Sequence, residues 1–246
     1  MRVAAIYDIH ANLPALEAVL KEIHGEGVDL IVVGGDVVPG PIPRASVSTL
    51  LGLSVPVQFI QGNGDRDVLR ARAGEDLTRV PERFHDVMRW VAKELTPEQV
   101  VEIASWPPTL TLDVAGIGKV VFCHATPRDD NEIFTRITPE RRLESMFRAT
   151  GADLVVCGHT HMHFDRIIGG VRVVNAGSVG MPFGEPGAYW LLLDTEVELR
   201  RTEYDLTEAT RLFQETEYPR VSEFELLHPA SESQMLDVFE AAARTL

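Results

Sequence analysis

Seven candidate metal ligands, Asp8, His10, Asp36, Asn63, His124, His159 and His161, fall into five short polar clusters: Asp8-Ile9-His10, Gly35-Asp36, Gly62-Asn63-Gly64-Asp65, His124, and Gly158-His159-Thr160-His161. Carboxylates, neutral imidazoles and an amide together suit borderline-hard transition ions. Asp36 is the natural bridge, because a carboxylate has two oxygens. Asp8 and His10 lie two positions apart, so an extended or turning chain can point both the same way. His159 and His161 repeat that spacing. Two ions about 3.5–4 Å apart would share a hydroxide, hold a phosphate and stabilise its developing charge. Glycines at 34, 35, 62, 64 and 158 keep the backbone slim beside such ions.

Each cluster ends a short apolar run: Val3–Tyr7, Leu30–Val33, Val57–Ile60, Val120–Phe122 and Leu154–Val156. Such β-branched or aromatic runs read as buried strands. Open α/β sheets bind ligands at the carboxyl ends of their strands, so five strands could aim these side chains at one place. Between the first two runs, Asn12 is placed to cap a helix with Pro14 in its first turn and an apolar face of Leu16, Val19, Leu20 and Ile23. A Pro/Gly loop at 39–43 precedes a second helix, from Arg44 to Leu53. The βαβαβ order implies a parallel sheet.

Residues 66 to about 105 read as a helical insert. Thr109–Val114 and Lys119–Phe122 flank a Gly116-Ile117-Gly118 turn, and Phe164–Ile168 and Val171–Val174 flank Gly169-Gly170, a two-residue hairpin signal. Thr138-Pro139 is expected to open a helix reaching about Thr150. Strands at Tyr189–Leu193 and Val197–Arg201 close a domain of residues 1–205, and 206–246 form a helical C-terminal extension packed on it, with a last helix from about Ser231.

The chain has 246 residues, 45% of them hydrophobic, enough for a core of one large domain. Its formal charge of −14 argues against long nucleic acid, whose backbone needs neutralising Lys and Arg. A small phosphorylated substrate held by metal is compatible with that acidity. No stretch reaches the ~20 apolar residues of a membrane span, and no signal core precedes the first strand. A cytoplasmic protein with no membrane partner is expected. Cys123 and Cys157 read as buried reduced thiols, with soft metal ligation as the weaker alternative.

The ordered set D-x-H, G-D, G-N-x-D, H and G-H-x-H resembles the signature of the calcineurin-like metallophosphoesterases over roughly residues 2 to 180. The stretch Asn175-Ala176-Gly177-Ser178-Val179-Gly180 is similar to a turn in the bacterial branch that holds small phosphodiesterases and bis-nucleoside polyphosphatases. The resemblance implies a four-layer α/β/β/α sandwich of two mixed sheets. It implies two ion sites: one of Asp8, His10, Asp36 and His161, the other of Asp36, Asn63, His124 and His159. Chemistry would centre on Asp36, Asn63 and His124, with a bridging hydroxide attacking phosphorus in line. Mn, Fe, Zn, Co and Ni all suit these donors.

One departure stands out: the family's usual third-motif histidine, its general acid, is Gly64 here. A general acid contributes ~10²–10⁴-fold, so good leaving groups, aryl or nucleotide, are expected to be preferred. Asp65 remains, as a support of the loop. Candidate stand-ins are His163, Arg66 and His85. Arg44, Arg66 and His163 are the candidate substrate contacts, each weighed against a plainer surface or strand role. His24, His228 and the Arg141-Arg142 pair read as solvated, and Trp90 and Trp106 as core of the insert. Substrate alternatives are a phosphomonoester or a phosphoprotein. The non-enzymatic alternative is a metal-binding scaffold of the same fold, as in the retromer subunit of this type.

Overall fold

The computed structural model describes residues 1–243. Among these residues, ten strands form two mixed five-stranded sheets. The first contains β1 (Val3–Ile6), β2 (Leu30–Val33), β3 (Val57–Phe59), β9 (Ala188–Leu193) and β10 (Val197–Thr202), in the order β10-β9-β1-β2-β3. The second contains β4 (Thr109–Val114), β5 (Gly118–Cys123), β6 (Leu154–Cys157), β7 (Phe164–Ile168) and β8 (Val171–Asn175), in the order β4-β5-β6-β8-β7. The trios β1-β2-β3, at one side of the first sheet, and β5-β6-β8, in the middle of the second, are parallel, and the other pairings are antiparallel; β3 is an edge strand with Gln58 exposed rather than a fully buried one.

Strand periodicity builds the layers. In β1 and the residue after it, Val3, Ala5 and Tyr7 face the second sheet, while Ala4 and Ile6 face the helices. In β6, Leu154 and Val156 face the first sheet, and Val155 and Cys157 face the opposite way. Strands buried on both faces are apolar at every position, so the runs are continuous rather than alternating. The helices α1 (Leu13–Glu26) and α2 (Pro43–Leu51) cover the outside of the first sheet. Asn12 caps α1 by accepting from the Ala15 N–H at 3.1 Å, and Gly27 ends it at φ 62°.

The helical stretch after β3 comprises α3 (Asn63–Ala73), α4 (His85–Glu94) and α5 (Pro97–Ser105). It shares a core with the first sheet instead of standing apart: Val68, Val87, Val91, Ile103 and Trp106 pack in the same cluster as Ile31 and Val33. Trp106 stacks on Phe59 of β3 at 4.7 Å, and Trp90 meets Tyr218 edge-on, so both tryptophans are packed. The Gly169-Gly170 turn has φ of 59° and 85°, as a type I′ hairpin demands.

The helix expected from Thr138 to Thr150 is broken. A 3-10 turn at Glu140–Arg142 is followed by α6 (Glu144–Ala149). Thr138 does not cap a helix, because its hydroxyl accepts from the Thr135 N–H and donates to Glu240. Leu143, between the two pieces, has the stretched φ of −117° and is buried under the second sheet.

The C-terminal extension carries α7 (Leu206–Gln214) and α8 (Glu232–Ala242), the latter capped by Ser231. Phe213, Phe224 and Leu226 make a small cluster against Ile42, Met181 and Tyr204. The extension therefore packs on loops at the carboxyl ends of the strands. Among the described residues, no helix is long and apolar enough to cross a membrane.

Candidate metal centre

Every cluster lies just past a strand's carboxyl end: Asp8 and His10 after β1, Asp36 after β2, Asn63 after β3, His124 after β5, and His159 and His161 after β6. The strands stop and the chain turns sharply. Among the described residues, six non-glycine residues have positive φ, and five are candidate ligands: Asp8, His10, Asp36, His159 and His161, at φ 48° to 67°. Such conformations cost about 1–3 kcal/mol each and persist where the surroundings over-determine them. Here backbone bonds do so. The Asp8 N–H donates to Gly35 O, the His10 N–H to Asp36 O, and the Ala11 N–H to Val37 O.

Two triads have donor atoms within 4.8 Å of one another: Asp8, His10 and His161; and Asp8, Asp36 and His124. Asp8 is common to both. Its Oδ1 lies 3.3 Å from His161 Nε2 and 3.8 Å from His124 Nε2. Asp36 divides its oxygens, Oδ1 lying 3.6 Å from His124 Nε2 and Oδ2 3.9 Å from His10 Nε2. Such separations are near the edges of a coordination shell with ~2.0–2.2 Å bonds, roughly 3–3.5 Å.

The imidazoles are pre-set as ligands. His10 Nδ1 donates to Pro39 O at 3.0 Å, His124 Nδ1 to Gly34 O at 2.9 Å, and His161 Nδ1 to Met181 O at 2.7 Å. With Nδ1 protonated, each Nε2 lone pair points inward. The lone pairs then collide: His10 Nε2 and His161 Nε2 are 3.1 Å apart. Asn63 Oδ1 lies 3.0 Å from His124 Nε2. The same end of that amide is 3.0 Å from His159 Nδ1 and 3.1 Å from Asp130 O. Asp8 Oδ1 and His159 Nε2 are buried without hydrogen-bond partners. A convergence of acceptors with too few protons is what cations resolve, so the residues fit metal.

The field of the site follows from burial and mutual charge. Burial opposes the Asp8 carboxylate, but the His161 and His124 imidazoles outweigh it and hold its pKa well below the usual range. Burial and His124 push His159 down to about 4, and burial and His161 lower His10. For His124 and His161 burial acts downward, yet the carboxylates prevail: Asp36 and Asp8 raise the first, Asp8 the second. Neutral His10 and His159 are ready to ligate.

Asp65 holds the loop after β2. Its Oδ1 accepts from the Val37 and Val38 N–H groups, and Oδ2 accepts from Gly62 N–H. Burial and the Asp36 charge push its pKa up to about 7, against those donors. Gly64 N–H, in the first turn of α3, donates to Asp36 Oδ1 at 2.7 Å, where the helix dipole also favours the anion. A Cβ at Gly64 would lie 2.5 Å from Pro39 Cγ and 3.0 Å from Asp36 Oδ1. The space that a side chain would need is taken by the Pro39 ring and the Asp36 carboxylate.

The remaining candidates lie apart from the triads. Arg44 is exposed; its Nε donates to Glu94 O, and it lines a groove with Trp90 that contains none of the seven ligand candidates. Arg66 pairs with Asp67 and Asp130, touching the site through Asp130, whose carbonyl meets Asn63. His163 sits before β7 with Nε2 on Ala176 O at 2.7 Å, and burial lowers its pKa to about 4. His85 bonds Val80 O, and His24 and His228 are exposed. Both cysteines are free and buried on the outer face of the second sheet.

Sequence reasoning did not single out Tyr7, Ser178 or Phe183. Tyr7, fully buried between the sheets, bonds Val156 O and lies where Cβ atoms at Gly34 and Gly158 would go. Ser178 Oγ donates to Asp8 O at 2.7 Å, and Gly180 N–H donates to it too. Asn12, beyond its cap, donates to Gly180 O and to Tyr204 Oη. Phe183 stacks on His161. Of these, only the Asn175–Gly180 motif carried a sequence signal.

The family model of the calcineurin-like phosphoesterase superfamily domain matches residues 1–198. The chain belongs to that superfamily. This phosphoesterase is 30% identical over 227 residues to the uncharacterized protein MJ0912 of Methanocaldococcus jannaschii, a match covering 84% of this chain and 89% of the other. Its structure is similar to that of a metallophosphoesterase from Sphaerobacter thermophilus, at TM-score 0.74 and 26% identity, covering 92% and 98% of the two chains. It shares its fold with the hypothetical protein PH1004 of Pyrococcus horikoshii, at TM-score 0.80 and 20% identity, over 94% and 99%. That coverage reaches past the matched domain into the C-terminal extension. Membership makes the protein a metal-dependent phosphoester hydrolase.

Proposed function

We propose that this phosphoesterase cleaves a small phosphodiester or a nucleotide polyphosphate in the cytoplasm, using two transition-metal ions. The proposed ligands are Asp8, His10, Asp36 and His161 for one ion, and Asp36, Asn63, His124 and His159 for the other. The observation that carries it is the inward convergence of lone pairs, with Nδ1 of three histidines committed to backbone carbonyls. Ions held there would supply activated water and positive charge for a phosphoryl transition state. Mn, Fe, Zn, Co and Ni all match the donor types.

The chain's own groups set the rest. Asp36 carries its charge between the triads, steadied by Gly64 N–H. Pro39 crowds position 64, where the family resemblance implies an acid, and glycine there offers no proton to a departing oxygen. That supports substrates whose leaving group needs no proton, such as an aryl oxide or a nucleotide leaving from a polyphosphate.

The test is hydrolysis of bis-p-nitrophenyl phosphate beside p-nitrophenyl phosphate by protein stripped and refilled with Mn²⁺. The diester should turn over faster. Asp36→Asn should lower that rate at least about a hundredfold, since even partners that merely orient metal ligands are worth 10–100-fold. A faster monoester would mark a phosphomonoesterase instead. Inert protein with metal bound would turn attention to a scaffold.

A further inference from the structure

We propose that the cavity beside His161 is a subsite for a flat aromatic group, a nucleobase or an aryl ring, carried by the substrate. The inference rests on the phosphoester reading of the metal centre.

Phe183 stacks on the His161 ring, with centroids 5.5 Å apart and planes within 17°. Met181 accepts from His161 Nδ1 through its carbonyl at 2.7 Å. Both residues line a cavity of about 180 Å³, whose apolar wall includes Pro182, Tyr204, Phe224 and Leu226. The cavity thus begins one residue from a candidate ligand. Its lining has no Lys, Arg or His to pair with a phosphoryl group. An apolar wall stabilises an apolar organic group.

Size and charge narrow the choice. The volume is below the ~300–1,000 Å³ of sites that enclose a whole drug-sized ligand, so it takes one part of a substrate. Glu223 and Glu225 also line it. Their carboxylates repel a second phosphate and offer acceptors to ring N–H or amino groups. Phe183 also meets a second ring. Phe239 of α8 lies 5.9 Å from it, and the next residue, Glu240, anchors that helix through the hydroxyls of Thr135 and Thr138. A ring held in place loses little freedom when another stacks on it.

The experiment is calorimetric binding of phenylphosphonate and methylphosphonate, which are not hydrolysed, to the Mn²⁺-loaded full chain. Phenylphosphonate should bind about tenfold tighter, the scale of one aromatic contact. Ala230→Trp, on the cavity wall and not among the seven ligand candidates, should erase that difference and leave methylphosphonate affinity unchanged. Equal affinities in the wild type, no binding of either probe, or discrimination that survives Ala230→Trp would overturn the proposal. Phe183→Leu separates an aromatic platform from a merely apolar wall: the preference should fall but not vanish, and full retention would contradict stacking. These readouts need no turnover, so failure of diester cleavage is a separate result.

Discussion

Gly64 shows how one residue sets the character of the site. The resemblance makes it a missing histidine; the structure shows that Pro39 occupies the space. Restoring a side chain should therefore cost stability without restoring an acid. Gly64→Ala is expected to destabilise by about 1–3 kcal/mol, the usual cost of overpacking, read from urea or thermal melts. Gly64→His should not speed hydrolysis of an alkyl ester. A clear gain there would mean that the 39–43 loop yields readily. The same scale explains the histidines: backbone carbonyls of Gly34, Pro39 and Met181 choose the tautomer. No side-chain substitution at those three positions removes the carbonyl itself.

At the scale of elements, α3 joins β3 to the centre. Its first turn presents Asn63 and the Gly64 N–H, and Asp65 locks that turn to the loop after β2. Asp65→Ala would leave three backbone N–H groups without their acceptor. Each buried unsatisfied donor costs about 1–3 kcal/mol, so a loss of about 3 kcal/mol or more is expected in chemical denaturation. Metal affinity should fall about 10–100-fold, because the turn orients ligands. Unchanged affinity would show that α3 is held from elsewhere. The short α6 teaches the complementary lesson. Thr138-Pro139 has the composition of a helix start, yet the hydroxyl is taken by Glu240 of α8, a hundred residues away in sequence.

For the whole molecule, the two sheets meet through Tyr7, Phe122, Val156 and their neighbours, and the strand ends bring like charges and lone pairs together at one edge. Metal should then be part of the fold's stability. An ion present at a thousandfold excess over its Kd contributes about 4 kcal/mol, which in a chain of this size corresponds to roughly 8–16 °C in Tm. Chelation should produce a fall of that order, and Asp36→Asn should flatten the response. A chelator-insensitive melt would mean that folding does not depend on the ions.

Much of this was legible in the chain. Continuous apolar runs marked the central strands because both of their faces are buried, and the polar residues that follow them could only lie at strand ends. Asn12, Ser231 and Gly169-Gly170 are local signals and act locally, as cap, cap and turn. The clusters' order identified the family before any coordinate did. Tertiary structure alone decided what depends on distant partners. It made Asp8 common to both triads, put Pro39 in the space beside Gly64, and left Arg44 on Glu94 O outside the centre. It joined the helices after β3 to the first sheet's core and laid the C-terminal extension beside His161. Periodicity reports which face of an element is buried; which partner buries it is settled by packing across the whole chain.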